Sequence, residues 1–228
     1  MTVLQIDGLD YRWPQAPHVT LATGALALDA GESLFLHGPS GCGKSTLLSA
    51  IAGVVDVPEG AVRVAEQDVG ALRGGERDRF RVDHIGLIFQ VFNLVPWLSA
   101  RENVLLPCTF SSRRRARTGD DPAGSAERLL DELGLSDPSL ASKRAHELSV
   151  GQQQRVAAAR ALIGKPDLIL ADEPTSALDE AAKAAFVDLL ARECAEADTA
   201  LLFVSHDRSI ERHFDRSVDF ETLNRRAA

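Results

Sequence analysis

The chain has 228 residues and a formal net charge of −8 at pH 7, with 45% hydrophobic and 25% charged residues. This balance is typical of a soluble globular protein with enough apolar residues for the core of one large domain. The net negative charge disfavours non-specific binding to a phosphate backbone, so we expect no nucleic-acid partner.

Cysteines and apolar runs indicate the compartment. Cys42, Cys108 and Cys194 are odd in number and widely spaced, which predicts neither a disulfide framework nor a zinc site. The N-terminal segment MTVLQIDGLDYRW lacks the basic and apolar regions of a signal peptide. The apolar runs are far shorter than the ~20 residues that cross a bilayer. We therefore expect a soluble protein of a reducing cytosol, and any membrane part of its process would lie in another chain.

The first elements in chain order are the predicted strands TVLQI and SLFLHG. The second strand leads into the glycine-rich segment GPSGCGKS and the apolar helical segment TLLSAIAGVV, and the predicted strand HIGLIFQ closes this part. Residues 91–164 then have a helical pattern. Ser99 and Glu102 have capping-box spacing, and the segments SAERLLDELGL and QQQRVAAARALIG are predicted helices. The polar stretch SSRRRARTGDDPAG, which precedes SAERLLDELGL within this helical block, predicts a surface loop.

Strands and helices alternate again after Pro166. The predicted elements are the strand DLILADE, the helix EAAKAAFVDLLARECAEA, the strand ALLFVSHD and a short helix near SIERHF. This alternation predicts an α/β fold with a mostly parallel sheet covered by helices on both faces. We expect a single domain, with a core lobe at about residues 1–90 and 165–228 and a helical lobe inserted at about 91–164.

The segment at residues 38–45, GPSGCGKS, fits the phosphate-binding pattern G-x-x-x-x-G-K-[ST]. Its glycines let backbone N–H groups surround phosphates, and the N-terminus of the following helix favours negative charge. Lys44 would reach the β- and γ-phosphates, and Ser45 would supply a Mg²⁺ ligand. A glycine-rich turn that matches by chance is the alternative, but the strand before the segment and the helix after it supply the required context.

Asp172 and Glu173 follow the apolar strand segment LILA. At that position the first carboxylate can hold Mg²⁺, and the second can polarise a water in line with the γ-phosphate. Acidic residues are common at strand ends, so this pair indicates a nucleotide site only in combination with the phosphate-binding segment.

The segment LSVGQQQR at residues 148–155 indicates the family. Ser149 and Gln152 alone predict a capping box at a helix start. Together with GPSGCGKS, DEPTSALD and His206 after the next strand, however, the order of motifs resembles the ABC ATPase family over nearly the whole chain. The resemblance implies a P-loop NTPase core of the RecA-like type, with a mostly parallel sheet, an antiparallel β edge and an inserted α-helical lobe.

By this resemblance the chain binds and hydrolyses ATP with Mg²⁺. The implied catalytic positions are Lys44, Gln90, Glu173 and His206. The implied metal positions are Ser45, Gln90 and Asp172. The implied nucleotide-binding positions are Tyr11, Gly38, Ser40, Gly41, Cys42, Gly43, Lys44, Ser45, Thr46, Ser149, Gly151, Gln152 and Asp179.

The resemblance also assigns roles. Glu173 would be the general base, and His206 would orient the γ-phosphate. Ser149 and Gly151 would contact the ATP of an opposite subunit in a head-to-tail homodimer, and Asp179 would cross that interface. Tyr11 would stack on adenine, with Trp13 open as a competitor.

Two departures from the family pattern stand out. Val150 replaces the first glycine of the usual LSGGQ signature, and the C-terminal DRSVDFETLNRRAA lacks a glycine-containing hairpin, which predicts shortened last strands.

The segments FQVFNLVPWLSARENVLLP and ILADEPTSALD most resemble the subgroup that serves MacB-like, lipoprotein-releasing and FtsX-like permeases. This implies an ATPase subunit on the inner face of the cell membrane that powers a permease in another chain. A polar amino-acid importer ATPase and a non-transport ABC ATPase remain open as alternatives. An independent metabolic kinase would leave the signature and His206 without a role.

Overall fold

The computed structural model describes residues 1–176 and 178–225. The strands are β1 (Thr2–Ile6), β2 (Asp10–Tyr11), β3 (Leu21–Ala22), β4 (Leu26–Asp29), β5 (Ser33–His37), β6 (Val62–Val64), β7 (Gln67–Asp68), β8 (Ile85–Ile88), β9 (Leu168–Asp172), β10 (Ala200–Ser205) and β11 (Arg216–Asp219). The α-helices are α1 (Lys44–Ile51), α2 (Gly74–His84), α3 (Ala100–Phe110), α4 (Ser112–Arg117), α5 (Pro122–Glu132), α6 (Pro138–Ser142), α7 (Val150–Leu162), α8 (Glu180–Glu196) and α9 (Phe220–Leu223). Short 3-10 helices span Val69–Ala71, Ala145–Glu147 and Arg208–His213.

A parallel sheet forms the centre of the described fold. Its strand order is β11-β5-β10-β9-β8, and every neighbouring pair is parallel. The strands β5, β9 and β10 are rich in Leu, Ile, Val and Phe and buried almost throughout, as expected for a sheet with both faces covered. Alternate side chains enter different cores: Leu34 and Leu36 face one hydrophobic cluster, whereas Phe35 faces the other.

The first core cluster joins the parallel sheet to α1 and to an antiparallel sheet of order β4-β1-β6-β7. The second joins the opposite face to α3, α5, α7 and α8. The helices α3 to α7 all lie between β8 and β9 in sequence. The predicted α/β fold, with its parallel sheet, antiparallel edge and inserted helices, is therefore confirmed.

One predicted segment is wrong. The stretch SSRRRARTGDDPAG is not a surface loop, because it contains α4 and the start of α5. Ser111 caps α4 by accepting from the N–H of Arg114 at 2.9 Å, and the Arg114 side chain is only 2% exposed. A run of arginines has no hydrophobic periodicity, so the pattern gave no sign of a buried face.

The C-terminal segment follows β10 with one strand, β11, which pairs with β5, and then with the short helix α9. Asn224 makes an antiparallel bridge to Thr23. Residue 177 of the SALD segment and residues 226–228 of the C-terminal segment lie outside the described residues.

Candidate active site

The topology brings the predicted catalytic segments to one edge of the parallel sheet. The phosphate-binding segment follows β5, Asp172 ends β9, and His206 follows β10. Gln90 stands two positions after the end of β8. Because the strands are parallel, their carboxyl ends meet at the same edge, where ligands of open α/β sheets bind.

The loop from Gly38 to Gly43 leads directly into α1. Its last residue, Gly43, is the N-cap of that helix and has no side chain that could cap it. Gly41 and Gly43 have φ values of 77° and 117°, a region that residues with a Cβ rarely adopt. Among the described residues no side chain caps the start of α1, and no acidic residue lies in the first turn of this helix. Its first N–H groups and the helix dipole make the start of α1 an anion-binding position.

Lys44 is only 5% exposed, and its ammonium is held by the loop itself. Its Nζ donates to the carbonyl oxygens of Gly38 at 2.7 Å and Pro39 at 2.8 Å, and lies 3.7 Å from Cys42 Sγ. A positive charge is thereby fixed inside the loop, beside the N–H groups of α1.

A cavity of about 450 Å³ opens at this edge. Its lining residues are Trp13, Thr20, Ser40, Gly41, Gly43, Lys44, Ser45, Thr46, Gln90, Asp172 and Glu173. The structure thus brings together most of the positions predicted within one chain. Gly38 and Cys42 belong to the same loop but do not line the cavity.

Asp172 and Ser45 place two oxygen atoms that can bind a metal ion in this cavity. The Ser45 hydroxyl and the Asp172 carboxyl both line the cavity, and Gln90 adds an amide oxygen to the same lining. Burial raises the pKa of Asp172, and the adjacent Glu173 adds to the rise, while Ser45 and Lys44 oppose it. Within the described residues no group of three or more His, Cys, Asp and Glu side chains could hold a metal by itself. A hydroxyl, one carboxylate and an amide are still suitable oxygen ligands for Mg²⁺, which usually keeps waters and substrate phosphates.

Glu173 and His206 make direct contact. His206 Nδ1 lies 2.7 Å from Glu173 Oε2, and the Glu173 N–H donates to the Val204 carbonyl at 2.9 Å. Glu173 has φ 44°, an uncommon backbone conformation for a non-glycine residue and one that costs free energy. The two strand ends thus hold an imidazole against a carboxylate that lines the cavity, a suitable arrangement for moving a proton.

The two aromatic candidates for adenine differ in position. Tyr11 and Trp13 meet edge to face, with ring centroids 5.3 Å apart and an interplanar angle of 84°. Trp13 lines the cavity, whereas Tyr11 is partly buried and packs against the first core cluster. The geometry therefore favours Trp13 as the ring nearer to a nucleotide, although the prediction preferred Tyr11.

His206 does not line this cavity, and neither do four more distant predicted positions: Ser149, Gly151, Gln152 and Asp179. Ser149 and Gln152 form the predicted capping box of α7, in which Ser149 Oγ accepts from the Gln152 N–H and Gln152 Oε1 accepts from the Ser149 N–H. Asp179 caps α8 by accepting from the Ala182 N–H at 2.9 Å. These side chains belong to helix starts elsewhere on the same chain.

Thr20 is a lining residue that the sequence analysis missed. It lies between β2 and β3, where its N–H donates to the Tyr11 carbonyl at 2.8 Å. The sequence offered no signal for it, since only the pairing of two short strands brings it beside the loop.

A family model described as ABC transporter matches residues 21–176. An uncharacterized ABC transporter ATP-binding protein of Mycobacterium tuberculosis (strain ATCC 25618 / H37Rv) is 39% identical over 230 residues, covering 97% of this chain and 67% of that relative. The lipoprotein-releasing system ATP-binding protein LolD 1 of Rhodopirellula baltica is 41% identical over 211 residues, covering 91% of this chain and 89% of the relative. The macrolide export ATP-binding/permease protein MacB of Burkholderia thailandensis is 39% identical over 220 residues, which cover 95% of this chain but only 32% of MacB.

A solved structure agrees with these relatives. The ATP-binding cassette MJ0796, solved as a dimer in a post-hydrolysis state bound to ADP and Pi, matches with a TM-score of 0.83 and 34% identity, covering 97% of this chain and 94% of that one. None of the described helices has the length and apolar character that crossing a membrane requires. Sequence, fold and site agree, and the chain belongs to the ABC transporter family as an ATP-binding and ATP-hydrolysing cassette.

Proposed function

We propose that two copies of this chain hydrolyse ATP at shared sites and power a separate membrane permease of the extrusion or release type. The relatives named LolD and MacB support this type, since one is the ATP-binding protein of a lipoprotein-releasing system and the other a macrolide exporter. On this proposal the dimer is cytoplasmic and bound to the inner face of the cell membrane. The core lobe is formed by about residues 1–90 and 165–228, and the helical lobe by about 91–164.

The observation that carries the two-subunit mechanism is the distribution of site residues within one chain. Lys44, Asp172 and Glu173 line one cavity, but Ser149, the N-cap of α7, does not. A symmetric head-to-tail pair would place each Ser149 and Gly151 against the other chain's cavity, so one ATP would lie between two chains. The dimeric MJ0796 cassette supports this arrangement.

The charged groups at this site have distinct chemical roles in the proposal. Lys44 and the N–H groups of α1 bind the β- and γ-phosphates and stabilise charge that develops on them. Glu173 accepts a proton from the attacking water, and His206, bonded to Glu173, orients that carboxylate and the γ-phosphate.

Mg²⁺ fits the oxygen donors described above. Ser45, Asp172 and Gln90 would hold it, and when bound it neutralises phosphate charge. Trp13 or its edge-on neighbour Tyr11 would cover the adenine.

A second cavity offers a docking place for the permease. This groove, of about 300 Å³, lies between the segment after β8 and the helices α2, α3 and α7. Phe89, Phe110 and Arg160 are among its lining residues. Trp97 and Phe110 are each 71% exposed, and Val91 is 75% exposed, so the apolar side chains near Gln90 are not all core residues. Such a groove can accept a short amphipathic helix.

The groove is also connected to the catalytic cavity. Arg160 of α7 donates to the carbonyl oxygens of Phe92 and Asn93, each at 2.7 Å. The same loop begins at Gln90, which lines the catalytic cavity. A helix that moves in the groove would therefore displace the loop that carries Gln90.

Replacing the general base tests the proposal. Glu173→Gln keeps the shape of the side chain but cannot accept a proton, so the variant should bind ATP, turn over at least a hundredfold more slowly by general-base arguments, and accumulate as an ATP-dependent dimer. Light scattering with and without ATP measures the dimer, and adding Ser149→Arg should remove it. Normal turnover, or a monomer at saturating ATP, would contradict the mechanism.

Co-purification from the native membrane identifies the permease, and an importer-type permease with a soluble binding protein would overturn the release type.

A further inference from the structure

An ion pair links the loop of His206 to the start of α8. Lys183 Nζ lies 2.6 Å from Asp207 Oδ2 and 3.1 Å from Glu180 Oε1. Lys183 belongs to the first turns of α8, whereas Asp207 directly follows His206. The two side chains are 16% and 24% exposed, so the contact between them is largely shielded from solvent.

Asp207 is held from several sides. Its Oδ1 accepts from the Ser209 N–H at 3.1 Å, and its own N–H donates to Ser205 Oγ at 3.1 Å. The hydrogen bond from Lys183, followed by those from Ser209, lowers the pKa of Asp207 to about 2, and bonds to Asp207 and Glu180 raise the pKa of Lys183. Both shifts favour the charged forms, so the contact is an ion pair at neutral pH.

His206 itself has little else to hold it. Its side chain is 56% exposed, and its described polar contact is the 2.7 Å bond to Glu173. The neighbouring Asp207 supplies the tether, because its carboxylate fixes the loop to Lys183. At the other end, Lys183 is one residue beyond Ala182, whose N–H is capped by Asp179.

We propose that Lys183 is a positioning residue that holds the His206 loop at a fixed position relative to Asp179 and the start of α8. The inference rests on the proposed roles of Glu173, His206 and Asp179, and it adds the connection between them. Asp179 would lie at the interface with the second subunit, and a shift of α8 on closure reaches the His206 loop through the ion pair. Dimer closure and the alignment of Glu173 are thereby coupled.

This coupling predicts that loss of the ion pair slows ATP hydrolysis without weakening ATP binding. Removing the ammonium leaves the P-loop and the cavity lining intact, so ATP affinity should not change. The hydrolysis step should slow about tenfold, since a misplacement of about 1 Å can cost roughly a hundredfold and the remaining contact of His206 with Glu173 limits the shift to less than that. An exposed lysine elsewhere should give no such effect, and Lys143, which is exposed in the segment before α7, supplies that control.

The test uses full-length Lys183→Met, Lys183→Arg, Asp207→Asn and Lys143→Met. Single-turnover hydrolysis with excess protein gives the rate constant, titration gives the ATP Kd, and urea unfolding gives stability. We expect a rate about tenfold lower with unchanged Kd in Lys183→Met and Asp207→Asn, recovery in Lys183→Arg, and a wild-type rate in Lys143→Met. The double variant Lys183→Met with Asp207→Asn should be no slower than Lys183→Met, because each single variant already removes the Lys183–Asp207 contact.

Two results would overturn the inference. One is an unchanged rate in Lys183→Met; the other is a loss of rate matched by equal losses of ATP affinity and stability, which would make the pair merely structural. Neither result depends on the Glu173→Gln dimer. A normally active Glu173→Gln protein would refute the proposed function itself, so the two failures are distinguishable.

Discussion

Arg114 offers a sharp test of how the inserted helices are held. This residue of α4 donates from Nε to the Ile163 carbonyl at 2.8 Å and from NH2 to the Ala161 carbonyl. Both carbonyls lie at the C-terminal end of α7, where a helix leaves its last carbonyls without intrahelical partners. Burial lowers the pKa of Arg114 to about 10, so the guanidinium is charged at neutral pH and the two hydrogen bonds are charge-assisted.

The expected magnitude follows from these two bonds. Arg114→Met keeps most of the aliphatic volume but leaves two carbonyls without their donor, at a cost of about 1–3 kcal/mol for each buried group. Removing the buried charge recovers part of that cost. We therefore expect a net loss of about 3 kcal/mol in the free energy of unfolding, equivalent to a Tm lower by roughly 6–12 °C in a domain of this size.

Urea unfolding without nucleotide measures the loss, and Arg115→Met is the matched control. Arg115 is the next residue of α4 and is exposed, so its replacement should change stability by less than about 0.5 kcal/mol. If Arg114→Met and Arg115→Met unfold at the same urea concentration, the buried contact to α7 does not stabilise the fold and the reasoning is wrong.

Three further predictions concern function and pH. Lys44→Ala removes the charge fixed in the phosphate loop and should abolish turnover and weaken MgATP binding more than tenfold, measured by equilibrium titration; near-normal affinity would contradict the site. Burial, and then the neighbouring Glu132 carboxyl, raises the pKa of Glu193 in the folded protein. The protonated side chain therefore adds fully to the free energy of unfolding below the ordinary carboxyl pKa, and this contribution is lost as pH rises through the raised pKa. Glu193→Gln should flatten this fall in unfolding free energy with pH, and an unchanged profile would refute the assignment. Trp97→Ala should reduce permease-stimulated ATPase severalfold while sparing the basal rate, and equal loss of both rates would make Trp97 a structural residue.

Local patterns in the sequence predicted the fold class and the central strands. The strands Ser33–His37 and Leu168–Asp172 are buried on both faces and therefore appear as continuous apolar runs. The capping boxes at Ser99 and Ser149 are confirmed, because a cap depends on residues three positions apart. The motif order also sufficed to predict the family, which the family model and the relatives confirm.

Two features of the structure depend on long-range contacts that local patterns do not show: the burial of Arg114 and the choice between Tyr11 and Trp13. The arginine run at residues 113–117 has no apolar periodicity. Arg114 is buried because its guanidinium donates to carbonyl oxygens at the C-terminal end of α7, which is far away in sequence. The choice between Tyr11 and Trp13 depends on which ring the short strands turn toward the cavity.

The sequence by itself determined what each catalytic segment is, because a phosphate loop or a capping box is built from neighbouring residues. Which segments meet was decided by the tertiary structure. The Lys183–Asp207 contact joins residues 24 positions apart, and the Glu173–His206 contact joins residues 33 apart. Both pairs meet because β9 and β10 are parallel neighbours and α8 connects them, so their carboxyl ends lie at one edge of the sheet.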